Sequence, residues 1–195
     1  MLKLIARALA LSALLFAPGA YAQESPEALV KQTVDEVLTV IKQTKDQRKL
    51  IELAEHKVLP HFDFKQMTQL AVGRSWSQAS AAQHEALERG FRTLLVRTYT
   101  SSLSRSNADV KVDIKPSAAK AGADETMVRT VAAEAGKQPV QIDYRMVKTA
   151  NGWKVYDVVV ENLSLVTTYR SQFQSEIARA GIDGLIKTLE AKAQG

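Results

Sequence analysis

The chain has 195 residues, no cysteine and a formal net charge of +5, with 46% apolar and 24% charged residues. That length suits one domain, and the lack of cysteine excludes disulfides and thiolate zinc sites. The basic residues are interspersed with acids and form no basic stripe of the kind that binds nucleic acid, so we expect no nucleic-acid partner.

Residues 1–22 have the pattern of a secretory signal peptide. A basic start and a short apolar run precede a small-x-small cleavage site at Ala20-Tyr21-Ala22. The apolar run is too short to span a membrane, and no cysteine follows it to hold a lipid anchor. The mature chain, residues 23–195, then has 24 basic and 21 acidic residues, a charge of +3. We expect it to be a single periplasmic domain.

Helical periodicity dominates residues 23–105. Ser25 and Pro26 predict a helix start, and the apolar spacing continues to about Gln43. Three further helices are expected, the second capped by Asp46, the third over about 63–72 with Gly73 as a left-handed stop, and the fourth over 83–103. Gly90 lies inside the fourth helix, where glycine is unfavourable, and so predicts a close helix crossing.

Between residues 108 and 162 the apolar period changes from helical to alternating. Strands are predicted near 110–114, 125–134, 140–146 and 155–160, with a small loop at 116–123. From 163 to 195 the helical period returns, with a break at Gly181 and a further cap at Asp183. Helices, then an antiparallel meander, then helices again indicate an α+β fold. Sequence does not separate a cavity between sheet and helices from a solid core.

The last two strands form a β-hairpin whose register decides which side chains share a face. A three-residue loop, Ala150-Asn151-Gly152, places Gly152 in the left-handed region and aligns the two apolar faces. A two-residue Asn151-Gly152 loop would shift the register and reverse one strand, so the longer loop is preferred. It predicts the pairs Ile142–Val160, Tyr144–Val158, Met146–Tyr156 and, on the outer face, Arg145–Asp157.

Catalytic and metal-binding patterns are weak in this chain. The three histidines, His56, His61 and His84, lack ligand spacing, and no nucleophile elbow or phosphate loop occurs. An acid–base enzyme on a cone-shaped α+β fold would need an inward Asp or His, but the strand phase places Asp143 and Asp157 outward. These features favour a container without a catalyst; a small-molecule enzyme and a solid adaptor domain remain as alternatives.

Several segments of the chain resemble the MlaC family of periplasmic phospholipid-binding proteins, also called toluene-tolerance or organic-solvent-resistance proteins. The matching segments cover most of the mature chain in order, and the last of them is the most specific. They are Leu59-Pro60 with Phe62-Asp63-Phe64, Ala71-Val72-Gly73-Arg74-Ser75-Trp76, Leu94-Leu95-Val96-Arg97-Thr98-Tyr99, Val140 to Met146, Trp153 to Val158, and Glu161 to Leu165 with Tyr169-Arg170 and Phe173.

The resemblance implies an NTF2-like curved antiparallel sheet of about four strands, wrapped by a helical subdomain around an apolar pocket. It implies a monomer that is not an enzyme, has no cofactor or metal, and binds phospholipid as cargo. The implied partners are an outer-membrane lipoprotein–porin complex and an inner-membrane ABC transporter with an MCE-domain protein. Lipid shuttling between them would maintain outer-membrane asymmetry.

The residues expected to bind lipid follow from the strand and helix phases, since the family offers no short catalytic motif. The sheet floor is expected to comprise Ile142, Tyr144, Met146, Tyr156, Val158 and Val160. The helical walls are expected to comprise Phe64, Met67, Leu70, Phe91, Leu95, Tyr99, Tyr169 and Phe173.

Overall fold

A computed structural model describes residues 24–104, 109–116 and 122–194 of the protein. The predicted signal peptide and most of the predicted 116–123 loop lie outside these residues. No helix in the described ranges is both long enough and apolar enough to cross a membrane. The α+β prediction is confirmed, with helices at both ends of the chain and an antiparallel sheet between them.

Within the described residues, five α-helices form the helical part. They are α1 Pro26–Gln43, α2 Gln47–Leu53, α3 Phe64–Val72, α4 Ala81–Ser104 and α5 Leu165–Gln194. A π-helical turn, Ala54–Val58, and a 3-10 turn, Leu59–His61, extend α2, and a second 3-10 segment, Gly73–Gln78, follows α3. Helix α5 is kinked at Gly181, where φ is 71°.

The predicted helix ends are confirmed by their caps. The Ser25 hydroxyl accepts a hydrogen bond from the Ala28 amide, and the Asp46 carboxylate accepts one from the Arg48 amide. Gly73 follows α3 with φ of 65°, a conformation that glycine adopts without steric cost. These side-chain and backbone caps satisfy amide and carbonyl groups that a helix end leaves open.

The sheet is antiparallel, with the order β1-β2-β3-β4-β5. The strands are β1 Lys111–Ile114, β2 Glu125–Ala133, β3 Val140–Thr149, β4 Gly152–Val160 and β5 Leu163–Ser164. Sequence predicted the first four. The fifth has only two residues, too few for an alternating pattern, and is formed because a tight turn at Glu161 and Asn162 (φ 49° and 65°) folds the chain back.

The β3–β4 hairpin differs from the prediction near its turn. Thr149 pairs with Gly152, so the loop is Ala150 and Asn151, one residue shorter than expected. A β-bulge then adds one residue to β4, and Met146 pairs with Val155 instead of Tyr156. Beyond the bulge the predicted pairs Ile142–Val160, Tyr144–Val158 and Arg145–Asp157 are confirmed, as is the left-handed Gly152, with φ of 97°.

The larger hydrophobic core lies among α3, α4 and α5 and includes Met67, Leu87, Phe91 and Leu185, each at most 1% exposed. The predicted close crossing at Gly90 is confirmed, since a Cβ atom there would stand 2.8 Å from the Leu189 Cβ of α5. A smaller core joins α1 to the sheet through Leu29, Val30, Val128, Met146 and Val155.

The sheet face opposite α1 buries two carboxylates. Asp143 and Asp157 are 5% and 2% exposed. Asp157 accepts hydrogen bonds from the Ser164 hydroxyl (2.7 Å) and the Val166 amide (3.1 Å), which fixes the start of α5 to β4. The direction predicted for both acids is confirmed, but the expected solvent exposure of that face is wrong at these positions.

Candidate ligand cavity

An apolar cavity of about 520 Å³ lies between α1 and the inner face of the sheet. Helix α1 forms the roof, strands β1 to β4 form the floor, and the 3-10 turn with Phe62 closes one side. This volume lies in the range of proven small-molecule sites. The lining is almost wholly aliphatic or aromatic, which suits a ligand recognised by burial of apolar surface.

A second apolar chamber, of about 180 Å³, abuts the first beneath α2 and α4. Six residues line both chambers: Val37, Val58, Phe62, Tyr99, Val158 and Val160. The second chamber reaches into the helical part as far as Leu50, Leu95 and Leu165. An elongated apolar ligand could therefore extend from the sheet into the helical part without leaving an apolar surface.

The floor of the cavity follows from strand alternation and the β-bulge. Ile142, Tyr144 and Met146 of β3 face α1, and Val158 and Val160 of β4 stand opposite them. Because the bulge changes the phase of β4, Val155 takes the place predicted for Tyr156. Side chains two apart on each strand share a face, so the floor is continuous on both sides of the bulge.

The structure brings most of the predicted binding residues to the cavity walls. Those that line one or both chambers are Phe64, Met67, Leu95, Tyr99, Ile142, Tyr144, Met146, Val158 and Val160. Their contact with lipid stays a prediction.

The structure places the other predicted residues elsewhere. Phe91, Tyr169 and Phe173 pack edge-to-face or tilted in the core between α4 and α5, with ring centroids 5.1 to 5.7 Å apart. Tyr156 turns to the opposite face, where its hydroxyl lies 3.3 Å from the Glu125 carboxylate. Leu70 is 37% exposed on α3. A helical stripe shows that a face is buried but not what it is buried against, and this explains the misplacement of Phe91, Tyr169 and Phe173. Tyr156 was misplaced because of the β-bulge.

The residues predicted to bind lipid include none from α1, although that helix forms the roof of the cavity. The sequence shows its apolar stripe, but nothing in that pattern indicates that the helix crosses the sheet. The apolar lining residues of α1 that the prediction lacks are Leu29, Val30, Val34, Val37, Leu38 and Ile41. From other parts of the chain it also lacks Val58, Phe62, Val110, Val112 and Ala132.

Polar groups are few along the cavity. The Tyr144 hydroxyl forms no hydrogen bond with the described residues, and burial raises the pKa of Tyr144 to about 12. His61 lines the cavity at the 3-10 turn, and burial lowers the pKa of its imidazole, as does the nearby positive charge of Lys154. At the β2–β3 turn, Glu134 and Lys137 form a 2.8 Å ion pair beside Gln138. Within the described ranges, His, Asp and Glu form no cluster able to hold a metal.

Comparison with protein families gives a match over residues 31–191 to the model described as "MlaC protein". A curated relative from Haemophilus influenzae, the intermembrane phospholipid transport system binding protein MlaC, is 24% identical over 191 residues. That alignment covers 94% of this chain and 89% of the relative.

A solved structure supports the same relationship. The phospholipid-binding protein of Ralstonia solanacearum, solved in complex with a phospholipid, superposes with a TM-score of 0.81 at 38% sequence identity. The superposition covers 88% of this chain and 98% of that one. The two folds therefore agree over almost the whole length of the related protein.

Proposed function

The chain belongs to the MlaC family, and on that premise we propose that it is a periplasmic phospholipid carrier that shuttles lipid between the outer and inner membranes. The observation that supports this most is the apolar cavity between α1 and the sheet, which extends into the helical part. The related Ralstonia solanacearum protein was solved with a phospholipid bound.

The energetics of acyl-chain burial suit such a cavity. Each buried methylene contributes about 0.8 kcal/mol, so a chain of roughly 16 carbons gains on the order of 12 kcal/mol before ordering costs. Binding of this kind needs no specific polar contact, which agrees with an aliphatic lining that includes Val30, Val34, Val158 and Val160. The tails would lie along the sheet and α1, and the headgroup would remain at the polar end near Lys137 and Gln138.

We further propose the route and the partners. A cleaved signal peptide at 1–22 would deliver the protein to the periplasm as a monomer. There it would exchange lipid with an outer-membrane lipoprotein–porin complex and an inner-membrane MCE-domain ABC transporter. A soluble carrier is needed because a phospholipid leaves a bilayer only at the cost of exposing its tails to water.

The enzyme alternative receives no support from the strand phase. It requires an inward Asp or His. The strands place Asp143 and Asp157 on the face opposite the cavity, and His61 of the 3-10 turn is the histidine that lines the cavity among the described residues. Asp157 is also engaged at the start of α5. The solid adaptor alternative required that the helices fill the space above the sheet, whereas about 520 Å³ is open there.

Native mass spectrometry of the protein purified from the periplasm without added lipid tests the proposal. We expect mass increments equal to whole phospholipids, released on mild activation. A protein that is purified empty, and that takes up no lipid from phospholipid vesicles, would contradict the carrier function.

A further inference from the structure

Three of the four large apolar residues that are most exposed in the described part of the chain lie at one end of the cavity. Val140 (36% exposed) and Tyr99 (43%) line the cavity and remain partly exposed, which indicates that the cavity opens to solvent beside them. Leu163, at 71%, pairs with Val160, and residues directly opposite in an antiparallel ladder share a face. Leu163 therefore projects on the cavity side at the edge of the opening. We call Tyr99, Val140 and Leu163 the mouth rim.

A basic segment, residues 42–49, leaves the cavity wall beside this opening. It follows Ile41, the last cavity-lining residue of α1, and contains four basic residues and one acid, Asp46, a net charge of +3. The Asp46 carboxylate is used as the cap of α2. By contrast, the β2–β3 turn on the other border is neutral, because Lys137 pairs with Glu134.

Resting on the proposed function, we infer that the mouth rim and the 42–49 segment together form the docking surface for a membrane protein that hands over lipid. The matching surface of that partner is a ring of apolar residues, a protein collar around its lipid path, flanked by acidic residues. Apolar contact around the mouth excludes water along the transfer path, while the opposed charges guide association and fix orientation.

A protein collar fits this surface better than a bilayer does. A myristoyl chain alone gives only marginal membrane binding and needs a second signal, such as a polybasic patch, for stable anchoring. Three partly exposed side chains offer less apolar area than that chain, so even together with the +3 segment 42–49 they would bind a bilayer only weakly. The same side chains are enough to form the water-excluded centre of a small protein–protein interface, because a few central residues supply most of the affinity of such interfaces.

The test uses lipid-loaded full-length protein and the MCE-domain transporter of the same bacterium in nanodiscs of phosphatidylethanolamine and phosphatidylglycerol. Empty nanodiscs of the same lipids represent the bilayer. Leu163→Asp should weaken binding to the transporter by at least about tenfold, a change typical of an interface centre, while Leu70→Asp, on an exposed leucine of α3, should leave it unchanged.

Charge reversal tests the second part of the surface. Lys49→Glu should slow association severalfold at low salt, and the difference should vanish at high salt. Lys187→Glu, an exposed lysine of α5, should not alter the rate. Native mass spectrometry of every variant keeps lipid loading as a separate readout, since a wild-type protein without lipid would contradict the carrier function itself.

Two results would overturn the inference while leaving the carrier function intact. In the first, loaded Leu163→Asp binds the transporter as the wild type does. In the second, the wild type binds empty nanodiscs as strongly as transporter-bearing ones, which would make the bilayer the occupant of the mouth rim.

Discussion

The two faces of the β-sheet are built by the same strands but have different surroundings. On the cavity face, Tyr144 and Val158 border open apolar space. On the opposite face, Asp143 and Asp157 are buried, and Asp157 is bonded to the start of α5. One face thus leaves room for a ligand, and the other holds the helical part in place. We therefore expect substitutions on the two faces to separate ligand binding from stability.

The largest effect is expected at Val158, which borders both apolar chambers. Val158→Asp should abolish lipid binding, because a charge against acyl chains remains without compensating hydrogen bonds. Val147→Asp is the matched control, since Val147 lies on the opposite face beside Lys154. Native mass spectrometry should show lipid only in the control. Equal retention in both proteins would mean that the faces are wrongly assigned.

On the opposite face, Asp157→Ala should lower the free energy of unfolding by about 2–3 kcal/mol. The substitution leaves the Val166 amide and the Ser164 hydroxyl without their buried acceptor. Urea unfolding followed by circular dichroism measures this loss, and the folded fraction should still contain lipid. An unchanged midpoint would show that Asp157 does not fasten α5 to the sheet.

The buried Tyr144 hydroxyl should make the free energy of unfolding depend on pH in the alkaline range. Its pKa in the folded state is raised to about 12 from 10 by burial, so the folded state keeps a proton that the unfolded state loses. The stabilisation is complete below pH 10 and is lost as pH rises towards 12. Tyr144→Phe should reduce the slope of unfolding free energy against pH in that window. An identical slope in both proteins would mean that the hydroxyl is solvated.

The smallest effect is expected for Arg145→Ala. The Arg145 guanidinium lies 3.6 Å from Asp157, but its side chain is 48% exposed, and such pairs are worth about 0–1 kcal/mol. Lipid loading should not change, because Arg145 faces away from the cavity. A loss as large as that of Asp157→Ala would show that the ion pair, not the bonds to Ser164 and Val166, stabilises this face.

Local signals in the sequence predicted much of the fold. Ser25, Asp46 and Gly73 act within one helical turn, so the helix ends could be located before any tertiary contact was known. Alternation in β3 likewise predicted that Ile142, Tyr144 and Met146 point towards the cavity. The β-bulge at Tyr156 could not be predicted, because both the longer loop and the bulge restore the same register at Arg145–Asp157.

The helical walls were less predictable than the floor. The stripe on α5 that includes Tyr169 and Phe173 and the stripe on α1 that includes Val34 and Leu38 look alike in sequence. The first packs against α4, and the second lines the cavity. Long-range packing decides which stripe borders the cavity, and helical periodicity carries no information about that packing.

A crystal structure of protein purified from the periplasm without added lipid tests the two-face account most directly. We predict density for acyl chains against Tyr144 and Val158 under α1, with Asp143 and Asp157 in contact with protein alone. Side chains collapsed into the space above the sheet, or lipid density on the Asp157 face, would contradict it.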